Sequence, residues 1–242
     1  MKAFWAQASA ETRLTLRRGE SLLLTLGIPI GLLIFLATTK VLSRPSDQVS
    51  FLAPGLLALA IMSTGMVSLG ISTAFDREHK VLKRLGTTPL GRPRLVGAKV
   101  VSVLMVELLQ VVLIAVAGVA IGWRPGAGGT AAVSAVGAAF LATVAFSGLG
   151  LVMAGRLPAD VVLATANALW LAFLLLGGMI LPLSKLPRGL RALADGLPSS
   201  ALAAALHTTL GNGQVVPGRD WLVLCIWAIA APSLAAFSFR WE

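Results

Sequence analysis

Long apolar runs alternate with short polar stretches along the chain, and the lengths of the runs are the first guide to its fold. A helix needs about 20 predominantly apolar residues to cross the roughly 30 Å of hydrocarbon in a bilayer. Six stretches approach or exceed this length, so we predict six membrane-spanning helices over residues 22–39, 51–75, 100–122, 130–154, 161–181 and 221–239. The pattern predicts an all-α polytopic membrane protein with a single transmembrane domain over residues 1–242.

Two further segments are too polar or too short to span. Residues 1–21 mix apolar side chains such as Phe4 and Trp5 with four basic residues, which predicts an interfacial helix on the membrane surface. A signal peptide is less consistent, because the apolar run that follows is too long and has no convincing cleavage site. Residues 182–219 contain two short apolar pieces, about 188–194 and 199–210, bounded by prolines and a glycine. We expect these to form external re-entrant or interfacial helices, or a folded cap with no role in transport.

Composition agrees with a membrane protein, and the distribution of charge orients it. The chain is 57% hydrophobic and only 12% charged, with a formal net charge of +10. The basic residues cluster beside apolar spans without interleaved aromatic side chains, so we predict no nucleic-acid partner. With both termini in the cytoplasm, thirteen of the twenty basic residues are cytoplasmic. We therefore predict cytoplasmic termini.

The longest polar interruption in the apolar first half covers residues 76–99, between the second and third spans, and holds seven basic residues. Within it, 76–86 has the pattern of a short amphipathic helix, with Val81, Leu82 and Leu85 on one side. Asp76 is placed to cap its start, and the proline at 89 follows its end. Such an apolar stripe needs lipid headgroups or another protein to cover it. A solvated loop that only sets topology is the alternative.

This interruption also resembles the first cytoplasmic loop of ABC-2 type transporter permeases, the membrane subunits of ABC exporters, and most closely the actinomycete drug-resistance branch. The resemblance is carried by Arg77-Glu78, by Leu82-Lys83-Arg84-Leu85, by Thr88-Pro89-Leu90 and by Gly97-x-Lys99. The chain departs from the family pattern at Lys80-Val81, where Gly-Thr is usual, and at Ala98, which separates the Gly from the Lys.

The resemblance implies a coupling helix that docks on a separate ABC ATPase, present in two copies and carrying the ATP and Mg. The residues it assigns to ATPase coupling are Glu78, Val81, Leu82, Lys83, Arg84, Leu85, Thr88 and Pro89. It also implies a second permease copy, identical or closely related, in the bacterial cytoplasmic membrane. The substrate would be hydrophobic or amphipathic, with drugs or antibiotics the commonest class in that family.

Polar residues inside the spans are the remaining candidates for function. Glu107 and Gln110 lie one turn apart in the third span, where a carboxylate is expensive to bury. They predict either a polar element beside the transport path or a protonated side chain bonded to a neighbouring helix. Spans one, two and five are expected to shape the path by resemblance, and the path residues proposed on soft or weakly polar chemistry are Met62, Ser63, Met66, Asn167, Trp170 and Phe173.

Several classes of chemistry lack support in the sequence. There is no G-x-x-x-x-G-K-[ST] phosphate loop and no G-x-S-x-G or H-E-x-x-H motif, so we predict no catalytic residues and no enzyme in this chain. One cysteine and two distant histidines predict no metal site and no cofactor. The competing hypothesis is a membrane-embedded scaffold or enzyme whose basic loop binds anionic lipid.

Overall fold

The computed structural model describes residues 2–17, 19–39, 45–86, 92–126 and 128–238, and within these ranges the chain is helical without a strand. A helix satisfies its own backbone hydrogen bonds, which is why long apolar runs adopt this form. The α-helices of the described ranges are α1 (Lys2–Arg17), α2 (Gly19–Thr38), α3 (Pro45–Met62), α4 (Leu69–Glu78), α5 (Val81–Gly86), α6 (Arg92–Ala120), α7 (Gly129–Arg156), α8 (Ala159–Leu176), α9 (Arg188–Ala194), α10 (Pro198–Leu206) and α11 (Gly218–Ser238).

Among the described residues, five helical stretches are long and apolar enough to cross a membrane, and they match the second to sixth predicted spans. These are Val49–Glu78, Gly97–Ala120, Gly129–Arg156, Ala159–Leu176 and Gly218–Phe237. The first predicted span falls on α2, part of whose side chains lies outside the description. The fifth predicted span extends too far, because α8 ends at Leu176 and Gly178 then takes a left-handed conformation with φ of 69°.

The second span contains a feature that its hydrophobic pattern does not show. Between α3 and α4 the backbone forms a π-helical stretch over Ser63–Ser68. Stretches of this kind are rare and occur often at functional sites. Thr64 and Met66 within it are buried against the rest of the bundle. The span is thus continuous from Val49 to Glu78 but has one widened turn near its middle.

Helix α7 lies at the centre of the bundle, where it packs against α11, α4, α10 and the π-helical stretch. Its glycines allow backbones to approach closely. A Cβ atom added to Gly148 would lie 2.5 Å from the nitrogen of Pro232 in α11. One added to Gly150 would lie 2.7 Å from the carbonyl oxygen of Met66. These glycines therefore pack spans of the same chain against one another.

The segment predicted as external helices, 182–219, does form helices close to the expected positions. Helix α9 covers Arg188–Ala194, and α10 continues into a second π-helical stretch over His207–Gly211. Trp227 of α11 donates its indole hydrogen to the carbonyl of Gly196 at 2.9 Å, which fixes the α9–α10 connection to the last span. The segment is thus held against the bundle rather than separate from it.

Candidate functional site

The C-terminal end of the second span turns sharply into the short helix α5. Helix α4 runs to Glu78, and Lys80 then takes a left-handed conformation with φ of 59°, unusual for a residue other than glycine. Helix α5 begins at Val81. The prediction of one helix over 76–86 capped by Asp76 is wrong, because Asp76 lies inside α4 and its carboxylate binds a lysine instead.

The predicted ATPase-coupling residues fall into three groups in the structure. Leu82 is 1% exposed and already packed inside the chain, so it is not accessible to a partner. Glu78, Val81 and Lys83 are exposed and remain on the surface. The side chains of Arg84 and Leu85, together with Thr88 and Pro89, lie outside the described residues. The apolar stripe is thus divided, with its central leucine turned toward the protein's own interior.

A buried ion cluster stands beside this turn. The Nζ atom of Lys99 in α6 lies 2.7 Å from Oδ2 of Asp76 and 3.2 Å from Oε1 of Glu11 in α1. The Lys99 side chain is only 3% exposed. Removing an ammonium group from water is costly unless opposite charges compensate it, and here two carboxylates do so. The cluster (Glu11, Asp76 and Lys99) joins three helices at the end of the second span.

Neighbouring residues tie the same region to the rest of the bundle. A Cβ atom at Gly97 would lie 3.2 Å from the ring of Phe4, so the glycine gives α1 room to lie against α6. The guanidinium of Arg77 donates a hydrogen bond to the carbonyl oxygen of Leu157, just after the end of α7. Gly97 and Lys99 therefore both help to pack α1 against α6, the glycine by leaving room for Phe4 and the lysine by binding Glu11.

A cavity of about 900 Å³ opens between α2, the second span and α8. Its walls are mainly apolar, with hydroxyl, amide and indole groups interspersed, and they include Ile28 and Pro29 of α2. Asp76, His79 and Val81 line the same cavity, so it reaches the turn that carries α5. Ligand pockets of this size commonly combine apolar walls with a few polar groups that orient the ligand.

Three of the predicted path residues line this cavity. Ser63, Asn167 and Trp170 face it, and the Trp170 indole donates a hydrogen bond to the Ser63 hydroxyl at 2.7 Å. Asn167 is exposed, and its amide donates to the carbonyl of Leu163 in its own helix at 2.8 Å. It therefore does not bridge two helices, as an asparagine in a span often does.

The other three predicted path residues lie in the packed interior. Met62 and Met66 are fully buried, and Phe173 is 8% exposed and packs against Phe146, with ring centroids 6.2 Å apart. None of them is among the residues that line the large cavity. Their apolar character reflects core packing. Sequence reasoning could not separate the two groups, because both occur on the same helices.

The intramembrane polar pair bonds to neighbouring helices. The Thr143 hydroxyl of α7 donates to Oε2 of Glu107 at 2.6 Å. The Thr64 hydroxyl of the π-helical stretch donates to Oε1 of Gln110 at 2.8 Å. Glu107 and Gln110 are both buried and neither lines the large cavity. Of the two interpretations, the structure agrees with the one in which Glu107 bonds to a neighbouring helix.

A buried histidine lies in the segment after the fifth span. His207 stacks on Phe51 with ring centroids 4.3 Å apart and nearly parallel planes. Burial lowers the pKa of His207 from 6.5 to about 4, and a hydrogen bond with the Gly178 backbone partly opposes this shift. The imidazole is therefore neutral near pH 7 and packs as an aromatic ring.

Comparison with protein families decides the identity of the chain. The family described as ABC-2 type transporter matches residues 2–210, which is most of the sequence. The chain belongs to the ABC-2 type transporter family. Comparison with curated proteins gives no match. As a member of this family, the chain is a multi-pass membrane protein and a transport permease subunit, and such permeases generally work with an ABC ATPase partner.

Several features of the site are not visible in the sequence. The sequence shows Lys99 only as part of a pattern that resembles the family, and its two carboxylate partners are 88 and 23 residues away in the sequence. Thr143 gives no signal in the sequence, since isolated threonines are common in membrane spans. The basic stretch 76–99 contains the α4–α5 turn and two of the three residues of the ion cluster, Asp76 and Lys99.

Proposed function

We propose that this ABC-2 permease forms the translocation path of an exporter for hydrophobic or amphipathic small molecules, with drugs or antibiotics as the substrate class. The observation that supports this is the cavity of about 900 Å³ between α2, the second span and α8. Its apolar walls suit an apolar ligand body, while Ser63, Asn167 and Trp170 can hydrogen-bond to polar substituents. The cavity reaches the α4–α5 turn, so a substrate bound in it would lie beside the proposed coupling helix.

The energy source in this proposal is a separate ATPase. Two ATPase copies carrying ATP and Mg would bind the cytoplasmic face of two permease copies, both with cytoplasmic termini in a bacterial cytoplasmic membrane. Helix α5 would contact the ATPase through its exposed residues Val81 and Lys83, with Glu78 beside them. Leu82 would hold α5 against the permease itself, because it is already buried there.

Affinity purification from native membranes in mild detergent tests this assignment. We expect a stoichiometric soluble protein with a phosphate-loop motif to accompany the tagged chain. Val81→Asp should release it, because a charge would then replace an apolar contact on the exposed face of α5. Val215→Asp is the matched control, since Val215 is 59% exposed in the segment after α10. Leu82→Asp is unsuitable, because it would place a carboxylate in the packed interior.

Two results would count against the proposal. If the chain purifies alone even after crosslinking, the alternative of a scaffold or enzyme with a lipid-binding basic loop is favoured. If an ATPase accompanies the wild type and also both aspartate variants, α5 is not the docking element. For the cavity, quenching of tryptophan fluorescence by an apolar ligand should be weaker in Trp170→Phe than in Trp221→Phe. Equal quenching in the two variants would place the ligand elsewhere.

A further inference from the structure

We propose that Lys99 is a positioning residue that sets where the coupling helix α5 lies relative to α1 and the third span. The inference rests on the proposed role of α5 in coupling. It concerns a function for the ion cluster, whereas the sequence pattern around Lys99 indicates only family resemblance.

The cluster acts at the point from which α5 extends. Asp76 lies in the last turn of α4, four residues before the left-handed Lys80, and α5 follows at once. Among the described elements, α5 packs mainly against α4. The position of α5 therefore depends on how the end of α4 is held. Lys99 holds it to α6 at 2.7 Å and, through Glu11, to α1.

The neighbouring residue extends the same restraint in another direction. Arg77 binds the carbonyl of Leu157 after α7, so two consecutive residues attach the end of α4 to two different helices of the bundle, α7 and α6. The bond from Arg77 reaches only a backbone oxygen, whereas Lys99 joins two ionised side chains. Both cations are charged donors, but only Lys99 has carboxylate acceptors, so its contacts can be tested by substitution of either side of the pair.

The surroundings of the cluster are polar rather than closely packed. A cavity of about 30 Å³ is lined by Glu11, Lys99 and the hydroxyl-bearing residues Thr64, Ser68, Ser72 and Ser102, with Leu69, Val103 and Val106 completing it. Its volume suffices for about two water molecules. Leu69 of α4 and Val103 of α6 belong to one small apolar cluster further along these helices. At the end of α4 itself, the ionic contact of Lys99 with Asp76 joins the helix to α6.

The structural test measures the distance between α1 and α5 by electron spin resonance. Spin labels are placed on the exposed positions Ala10→Cys and Lys83→Cys in a Cys225→Ala background, which removes the only native cysteine. We expect a narrow distance distribution in the wild type, loss of that narrow distribution in Lys99→Met, and its recovery in Lys99→Arg. Lys185→Met, which removes an exposed lysine distant in sequence, is the control.

A second variant keeps the test valid if Lys99→Met fails to fold because two carboxylates face each other. In Lys99→Met combined with Asp76→Asn and Glu11→Gln, none of the three cluster side chains carries a charge. We expect this neutral variant to fold and still lose the narrow distribution. A narrow distribution in either folded variant would overturn the proposal.

The functional test uses the complex with the ATPase that accompanies the chain. Lys99→Met should retain the bound ATPase and its KM for ATP but lower kcat, because nucleotide binds on the partner while the defect lies in the permease. Lys99→Arg should restore kcat. An unchanged kcat in Lys99→Met would overturn the assignment to coupling. If no ATPase accompanies the chain, the proposed function fails, but the distance measurement still decides whether Lys99 positions α5.

Discussion

The hydrogen bond between Thr143 and Glu107 should respond unequally to the loss of its two partners. The Thr143 hydroxyl lies 2.6 Å from Oε2 of Glu107 and 3.0 Å from the carbonyl oxygen of Ala139 in its own helix. When Glu107 is replaced by methionine, the hydroxyl still has this second acceptor. When Thr143 is replaced by valine, the buried Glu107 side chain loses its donor, and its Oε1 atom has no hydrogen-bond partner to begin with.

The expected magnitudes follow from this asymmetry. Thr143→Val should lower the free energy of unfolding by about 1–3 kcal/mol, the penalty for a buried polar group without a partner. Glu107→Met removes one interhelical hydrogen bond, which contributes about 0.6 kcal/mol on average inside membranes. It also removes the unpartnered Oε1. The double variant should therefore be more stable than Thr143→Val alone, by about 1 kcal/mol or more, a clear departure from additivity.

Equilibrium unfolding in detergent micelles, followed by the fluorescence of the six tryptophans, measures these differences. Thr130→Val serves as the control, because Thr130 is exposed near the start of the same helix. The reasoning would be refuted if Glu107→Met were as destabilising as Thr143→Val. It would equally be refuted if the two effects were additive in the double variant.

Three other outcomes are expected. Gly150→Leu should abolish stable folding, because its Cβ would approach backbone atoms of the π-helical stretch. Gly129→Leu, with open space around it, should fold. Size-exclusion profiles and purification yields would distinguish the folded variant from the unfolded one. Trp170→Phe should lower the unfolding free energy by about 1 kcal/mol, because the hydrogen bond to Ser63 is lost. An unchanged unfolding free energy would show that the indole contributes only packing. Thermal unfolding should reveal lower stability as pH falls from 6.5 toward about 4, because the unfolded state binds a proton at His207 first. His207→Asn should lack this slope, and an equal slope in both proteins would contradict the assignment.

Much of the architecture could be predicted, because the length and apolarity of a span are local properties. Helix α9 was expected at 188–194 and occurs at Arg188–Ala194, since the proline at 187 fixes its start. The α4–α5 turn could not be predicted. Its left-handed residue is Lys80, and a lysine gives no sign of positive φ where a glycine would.

The site was predictable only in part, for a related physical reason. Amphipathic spacing indicates that a residue lies on one face of a helix, but not what covers that face. The spacing predicts that Leu82 contacts a partner protein, whereas in the structure the chain itself buries this side chain. Met66 and Ser63 belong to the same π-helical stretch, and only their neighbours decide that one is core and the other lines the cavity.

The glycine contacts of α7 have a mechanical consequence. At Gly148 and Gly150 the backbone of α7 meets α11 and the π-helical stretch with no side chain between them, so these segments cannot slide without steric overlap. They form the stiff part of the chain. Helix α2 borders the cavity and packs on α3 and α6, and at its described glycines, Gly27 and Gly31, an added Cβ atom would meet nothing within 4 Å. We expect changes in the width of the cavity to come from α2 moving against an otherwise rigid body.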